Sequence, residues 1–209
     1  MSDETSATQS FRQAAWTSPG GLSLGIEESL VLEVQRGDLN AFSGIYEAYY
    51  DRVFRYILVR LNNRAEAEDL ASEVFLKALQ AVGDYKLKGA PFAAWLFRIA
   101  HNLIIDHVRR RNKRPTTELD DSLPLTQDSP DELVELGLTS DDVKKAMVEL
   151  TDSQRQVIAL RFGGSLSLAE TAEAMGKKEG AIKAMQHSAI QALRRVMARQ
   201  GHDIPGMDK

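Results

Sequence analysis

The chain has 209 residues with 26 basic and 30 acidic side chains, a formal charge of -4, so it is not as a whole a basic coat for nucleic acid. Hydrophobic residues make up 43%, enough to bury a core in one or two domains, and the absence of cysteine excludes disulfides, thiolate metal sites and cysteine nucleophiles. No apolar run approaches the roughly 18 residues of a membrane span, and MSDETSATQSFRQAAWTSPGG lacks the pattern of a secretory signal; the expectation is a soluble cytoplasmic protein without membrane insertion.

Residues 1–24 are polar and rich in Gly, Ser and Thr, and read as a flexible N-terminal extension. Helical spacing begins after them. Leu30, Val31 and Val34 form one face, and Gly37 stops that helix. Asp38 is placed to cap a second helix, whose apolar positions Ala41, Phe42, Ile45, Tyr46, Tyr49, Val53, Tyr56, Ile57 and Leu61 step by three or four. A third helix runs from about Ala65 to Val82, with Leu70, Val74, Phe75 and Leu79 inward. After DYKLKGA, Pro91 fits the first turn of a fourth helix carrying Phe92, Trp95, Leu96, Ile99, Ala100, Leu103, Ile104 and Val108. No alternating strand pattern occurs, so residues 25–114 read as an all-helical domain.

Two features exceed what a bundle needs. The third helix carries Glu66, Glu68, Asp69 and Glu73 along its outer side. These form either an ordinary solvated face or an acidic docking surface for a basic partner. The fourth helix ends in HVRRRNKR, which places Arg109, Arg110, Arg111, Lys113 and Arg114 within six residues. Part of this charge complements the negative helix end. The rest suits phosphates, which clustered Lys and Arg bind by releasing counterions. Just upstream, Tyr85, Lys86, Lys88, Phe92 and Trp95 interleave aromatic and basic groups, a combination that stacks splayed single-stranded bases at about 1–3 kcal/mol each. The alternative is that one of Phe92 and Trp95 belongs to the core, with Trp95 the better candidate.

Residues 115–142 hold 9 acidic and no basic side chains, with Pro115, Pro124 and Pro130. The segment at 115–138 reads as an extended linker, stretched by like charges. It is either a spacer or a mimic of nucleic acid in a partner's basic channel. Residues 143–209 return to 11 basic against 7 acidic. Within 139–200, Thr139-x-x-Asp142, Thr151-x-x-Gln154 and Ser167-x-x-Glu170 open successive helices. Gly163-Gly164 breaks the second, and Gly176 makes a tight turn into a last helix from about Glu179. A short helix, a Gly turn and a longer helix fit a helix-turn-helix, whose second helix enters the major groove. Outward candidates are Lys178, Lys183, Ala184, Gln186, His187 and Arg194, with Gln186 suited to adenine and Lys183 to guanine or phosphate. A plain helical hairpin is the other possibility. Residues 201–209 form a tail.

The strings LVLEVQRGDLNAFSGIYEAYYDRVFRY, AEDLASEVFLKAL, PFAAWLFRIAHNLIIDHVRRR and LTDSQRQVIALRFGGSLSLAETAEAMGKKEGAIKAMQHSAIQALRR, in this order, resemble the extracytoplasmic-function (ECF) sigma factors of bacterial RNA polymerase over about residues 26–200. The resemblance implies an all-α fold of two helical domains joined by the acidic linker. The first would be a sigma region two, docking on the beta-prime clamp helices of core RNA polymerase through Glu66, Asp69, Leu70, Glu73 and Phe75. Its DYKLKGAPFAAW segment would capture the melted minus-ten element. Asn102, in the string RIAHN, would help form the pocket for a flipped base, with Asp106 on the same DNA-facing set. The basic helix end would hold duplex and non-template strand. The second domain would be a region four, reading the minus-thirty-five element and touching the beta flap. The resemblance also implies an anti-sigma regulator. Many members carry V-K-S-R at the start of the recognition helix; here Ile182-Lys183-Ala184-Met185 stands instead, so no promoter sequence carries over.

No catalysis, cofactor or metal is expected. There is no Walker loop or Ser-His-Asp arrangement, and His101, His107, His187 and His202 are scattered. Two other readings stay open: a stand-alone helix-turn-helix regulator binding palindromic DNA, and an adaptor that binds polymerase or regulator but not DNA, against which the RRRNKR cluster argues.

Overall fold

The structure is a computed structural model that describes residues 24–113 and 146–199. The extension, the linker, Arg114, the cap at Thr139 and the tail lie outside the described residues. Among those described, every regular element is helical. The order is α1 (Leu24–Gln35), α2 (Ala41–Leu61), α3 (Arg64–Ala81), a 3-10 turn (Val82–Asp84), α4 (Phe92–Lys113), α5 (Asp152–Ile158), a π-helical turn (Ala159–Gly163), α6 (Leu168–Met175) and α7 (Glu179–Arg199).

α2 is the central element, packed by α1, α3 and α4. It buries Ala41, Ile45, Tyr49, Val53, Tyr56 and Ile57, a stripe that recurs every three to four residues. α3 answers with Ala67, Leu70, Ala71, Val74, Phe75 and Ala78. α4 contributes Phe92, Leu96, Phe97, Ala100, Leu103 and Ile104. α1 closes the bundle with Val31 and Val34, and Gly37 at φ +101 ends it, a value that favours glycine.

The helix starts show which local signals act. Asn63 caps α3 by accepting from the Glu66 amide, and capping boxes at Thr151/Gln154 and Ser167/Glu170 open α5 and α6 as their spacing indicates. Asp38 does not cap α2 directly: the helix begins at Ala41, and the Asp38 carboxylate instead accepts from the Asn40 amide at 3.0 Å, within the turn before it. The inward positions of α7 also shift. Ala181 is exposed, and Ala189 fills the buried site one turn before Leu193.

The two sequence segments are not separate bodies in this fold. Ala159, Leu160, Leu166 and Ala174 join the core built by α1–α4. The π-helical turn packs on α2, and α6 packs on α4. Met147, Leu150, Ile158 and Ala189 make a smaller cluster that holds α5 against α7.

Candidate nucleic-acid interface

α4 brings the charged and aromatic candidates onto one line. Trp95, Asn102, Asp106 and Arg109 are spaced seven, four and three apart, which places them on one helix face. Asn102, Asp106 and Arg109 are exposed there, and Arg110 and Arg111 are exposed beside them. His107 and Arg111 turn towards α3. The Glu66 carboxylate lies 3.0 Å from His107 Nε2 and 3.6 Å from Arg111 Nη1. Glu66 is thus engaged inside the molecule, pinning the basic end of α4.

The loop before α4 is held from both sides. Gln35 Nε2 donates to the Val82 and Tyr85 carbonyls, each at 2.8 Å. Tyr85 Oη donates to the Ala90 carbonyl at 2.9 Å. Lys86 and Lys88 stay exposed. Tyr85, Phe92 and Trp95 form an aromatic triad with centroids 5.2–5.4 Å apart. Burial, aided by Glu27 and Glu28, pushes the Tyr85 phenol up to about 12. The expectation about the core member is reversed: Phe92 is 1% exposed and Trp95 is half-buried. Phe92 lies under Tyr85 and against Tyr49 at 5.7 Å, so it supports the triad and offers no face to a base.

On α3, Asp69 is exposed and Glu73 lies 3.8 Å from Lys77. Leu70 and Phe75 are 5% and 3% exposed, so neither offers a surface to a partner. Phe75 packs beneath Tyr46, Phe42 and Tyr50. The apolar groups that do reach the surface near the acidic side are Leu76 and Tyr46. Sequence spacing marks α3 as two-sided but does not say where neighbouring helices cover it.

In the C-terminal part, Gly176 ends α6 at φ +61, and α7 follows after Lys177 and Lys178, the geometry of a helix-turn-helix. Lys178, Lys183, Ala184 and His187 are exposed. Gln186 is half-buried. Its Oε1 accepts from Arg161 Nε at 3.1 Å, and Arg161 also donates to the Leu166 carbonyl. This bond ties the amide of α7 to the π-helical turn. Arg194 is half-buried. Arg161 was not legible as a site residue, because its partner lies 25 residues away.

No group of three or more His, Cys, Asp or Glu among the described residues is arranged to hold a metal, and no helix among them is long and apolar enough to cross a membrane.

Residues 45–114 match Sigma-70 region 2, and residues 146–195 match Sigma-70, region 4. The chain is 40% identical over 171 residues to the ECF RNA polymerase sigma factor BldN of Streptomyces coelicolor, covering 80% of this chain and 64% of BldN. It is 32% identical to the ECF RNA polymerase sigma factor SigW of Bacillus subtilis, over 79% of this chain and 93% of SigW. The solved structure of CnrH in complex with the cytosolic domain of CnrY shares the fold, with a TM-score of 0.63 at 20% identity over 83% of this chain and 98% of that one. The chain belongs to the extracytoplasmic-function family of RNA polymerase sigma factors.

Proposed function

We propose that this chain works as an alternative sigma factor in the cytoplasm, binding core RNA polymerase and directing it to promoters. The observation that carries this is the single face of α4 on which Trp95, Asn102, Asp106 and Arg109 align, leading into the exposed arginines at its end. A base leaving a duplex costs a few kcal/mol in lost stacking. Stacking on Trp95 or Tyr85, at about 1–3 kcal/mol per base, offsets most of that. Asn102 would then fix one flipped base by hydrogen bonding. Lys86, Lys88, Arg109, Arg110, Arg111 and Arg114 would bind phosphates and keep the strands in place. Opening the DNA is thus driven by binding and needs no catalytic group.

Asp69 and Glu73, with Leu76 and Tyr46 beside them, would meet the beta-prime clamp helices of core RNA polymerase. Leu70 and Phe75 would shape that face from below. Lys178, Lys183, Ala184 and His187 would enter the major groove of the upstream element, with Gln186 and Arg161 holding the helix that carries them. Because the sigma factor RpoE, a structural neighbour, was solved in complex with the anti-sigma factor NepR from Bartonella quintana, an anti-sigma partner is proposed for this chain as well.

In vitro transcription with core polymerase tests the whole reading. Asn102→Ala should leave promoter capture intact while lowering permanganate reactivity of melted thymines at least tenfold. Removing Arg109, Arg110 and Arg111 together should reduce the log-log salt slope of promoter binding by about 2–3. Specific DNA binding by the chain without core enzyme, at a palindromic site, would favour the stand-alone regulator and defeat this assignment.

A further inference from the structure

We propose that Gln35, the last residue of α1, is a positioning residue for the loop that captures the melted strand, acting through Tyr85 and not on DNA itself. Its hold on the loop rests on geometry alone. Its consequence for DNA rests on the sigma reading above.

One amide makes the tie. Gln35 Nε2 donates to the Val82 carbonyl and to the Tyr85 carbonyl, each at 2.8 Å, which uses both hydrogens of the group. The partners stand 47 and 50 residues further along the chain. Between them, the Tyr85 amide donates to the Val82 carbonyl at 3.1 Å. Gln35 therefore grips both ends of the 3-10 turn, where the chain leaves α3 for Lys86 and Lys88. The bonds beyond it are internal to the loop: the Gly89 amide donates to the Lys86 carbonyl at 2.8 Å, and Tyr85 Oη to the Ala90 carbonyl at 2.9 Å. They shape the loop without fixing it to α1.

Packing leaves the task to the Gln35 amide. A cavity of about 180 Å³ separates α1 from the loop, with Glu27, Glu28 and Val31 on the α1 side and Tyr85, Leu87 and Gly89 on the other. Side chains that face a gap lose dispersion contacts across it. The polar tie at Val82 and Tyr85 then decides where the loop sits. α1 also precedes residues 45–114, which match Sigma-70 region 2, so the loop of the matched segment takes this support from outside the match.

The consequence falls on melting. Phosphate contacts by Lys86 and Lys88 are electrostatic and independent of sequence, so they tolerate a displaced loop. Stacking does not, because it requires the Tyr85 ring to keep its place 5.2 Å from Trp95. Loosening Tyr85 should therefore slow the capture of melted bases and leave the first engagement of duplex intact.

The chain contains two tryptophans, so Trp16→Phe leaves Trp95 as the sole tryptophan emitter. In that background Gln35→Met keeps the side-chain shape and removes both donors. Acrylamide quenching of Trp95 should rise about twofold or more at unchanged helicity. Gln35→Lys, whose ammonium can still donate to both carbonyls, should return it to the parent value. In holoenzyme, Gln35→Met should slow the appearance of permanganate-reactive thymines about five- to tenfold, the effect of one or two lost hydrogen bonds, while closed-complex affinity stays within about twofold. Gln35→Ala takes the place of the methionine variant if that one loses helicity. Parent-like quenching without the donors, a lysine variant quenched like the methionine one, unchanged melting kinetics, or an equal loss of closed-complex affinity overturns the assignment. Quenching that follows the expected pattern in a chain that never assembles with core polymerase keeps Gln35's hold on the loop and sinks the sigma reading.

Discussion

Individual residues at the junction between α1–α4 and the C-terminal helices carry strain and charge that can be measured. Ser165 has φ +52, a left-handed conformation that costs a non-glycine residue about 1–2 kcal/mol. Glycine removes that cost but adds about 0.5–1 kcal/mol of chain entropy to the unfolded state. Relief wins by a small margin. Ser165→Gly should stabilise the protein by about 0.5–1 kcal/mol, raising Tm by about 1–4 °C in calorimetry. A lower Tm would mean the hydroxyl, not the backbone, matters there.

His101 gives the junction a pH dependence. The Gln156 amide nitrogen lies 3.2 Å from Nδ1 and the Tyr56 hydroxyl 3.4 Å from it. An NH2 group only donates, so Nδ1 accepts and the ring is neutral. Burial first, then Arg60, holds the imidazole below its ordinary pKa of 6.5, while Asp152 opposes. The unfolded chain therefore takes up the proton first. Stability is fully present above about pH 6.5 and falls as pH drops through the lowered value. Glu27 works in the other sense: burial raises its carboxyl above 4.5, so acid favours the folded form there. His101→Gln should flatten the loss of stability in urea titrations below pH 6.5. An unchanged pH profile would remove His101 from the junction's acid response.

At the scale of elements, legibility followed whether the signal was local. The boxes at Thr151 and Ser167 act within three residues, and both form as spaced. Gly37 and Gly176 end their helices in the left-handed region as such positions require. The errors arise where distant chain decides. Phe92 became the buried aromatic because Tyr49 of α2 and the Tyr85 loop pack on it, which no spacing within α4 reports. Gly163-Gly164 reads in sequence as a helix breaker. Its closeness to Tyr56 and Phe97, more than 60 residues earlier, appears only in the fold. The α4 face was legible in kind, since aromatic, amide and arginine recur at helical spacing. That Glu66 is bound to His107 and Arg111 was not, because each pair needs the α3–α4 crossing.

At the scale of the molecule, the sequence shows two basic or balanced segments around an acidic one and so suggests two units. The structure places Leu160 and Leu166 in the same core as Ile45, Tyr56 and Phe97. Units that share a core should unfold together. Calorimetry of the full chain is therefore expected to show one cooperative transition. Phe97→Ala removes a fully buried ring from the shared core, a change that costs about 3–5 kcal/mol. Most of that loss should fall on α1–α4, whose own core Phe97 completes. Gly163→Leu should instead leave each half intact and uncouple them, so that the single peak separates into two with little loss of total enthalpy. Separate transitions in the unaltered chain would show that the halves already melt alone, and the common core would then be a contact without cooperativity.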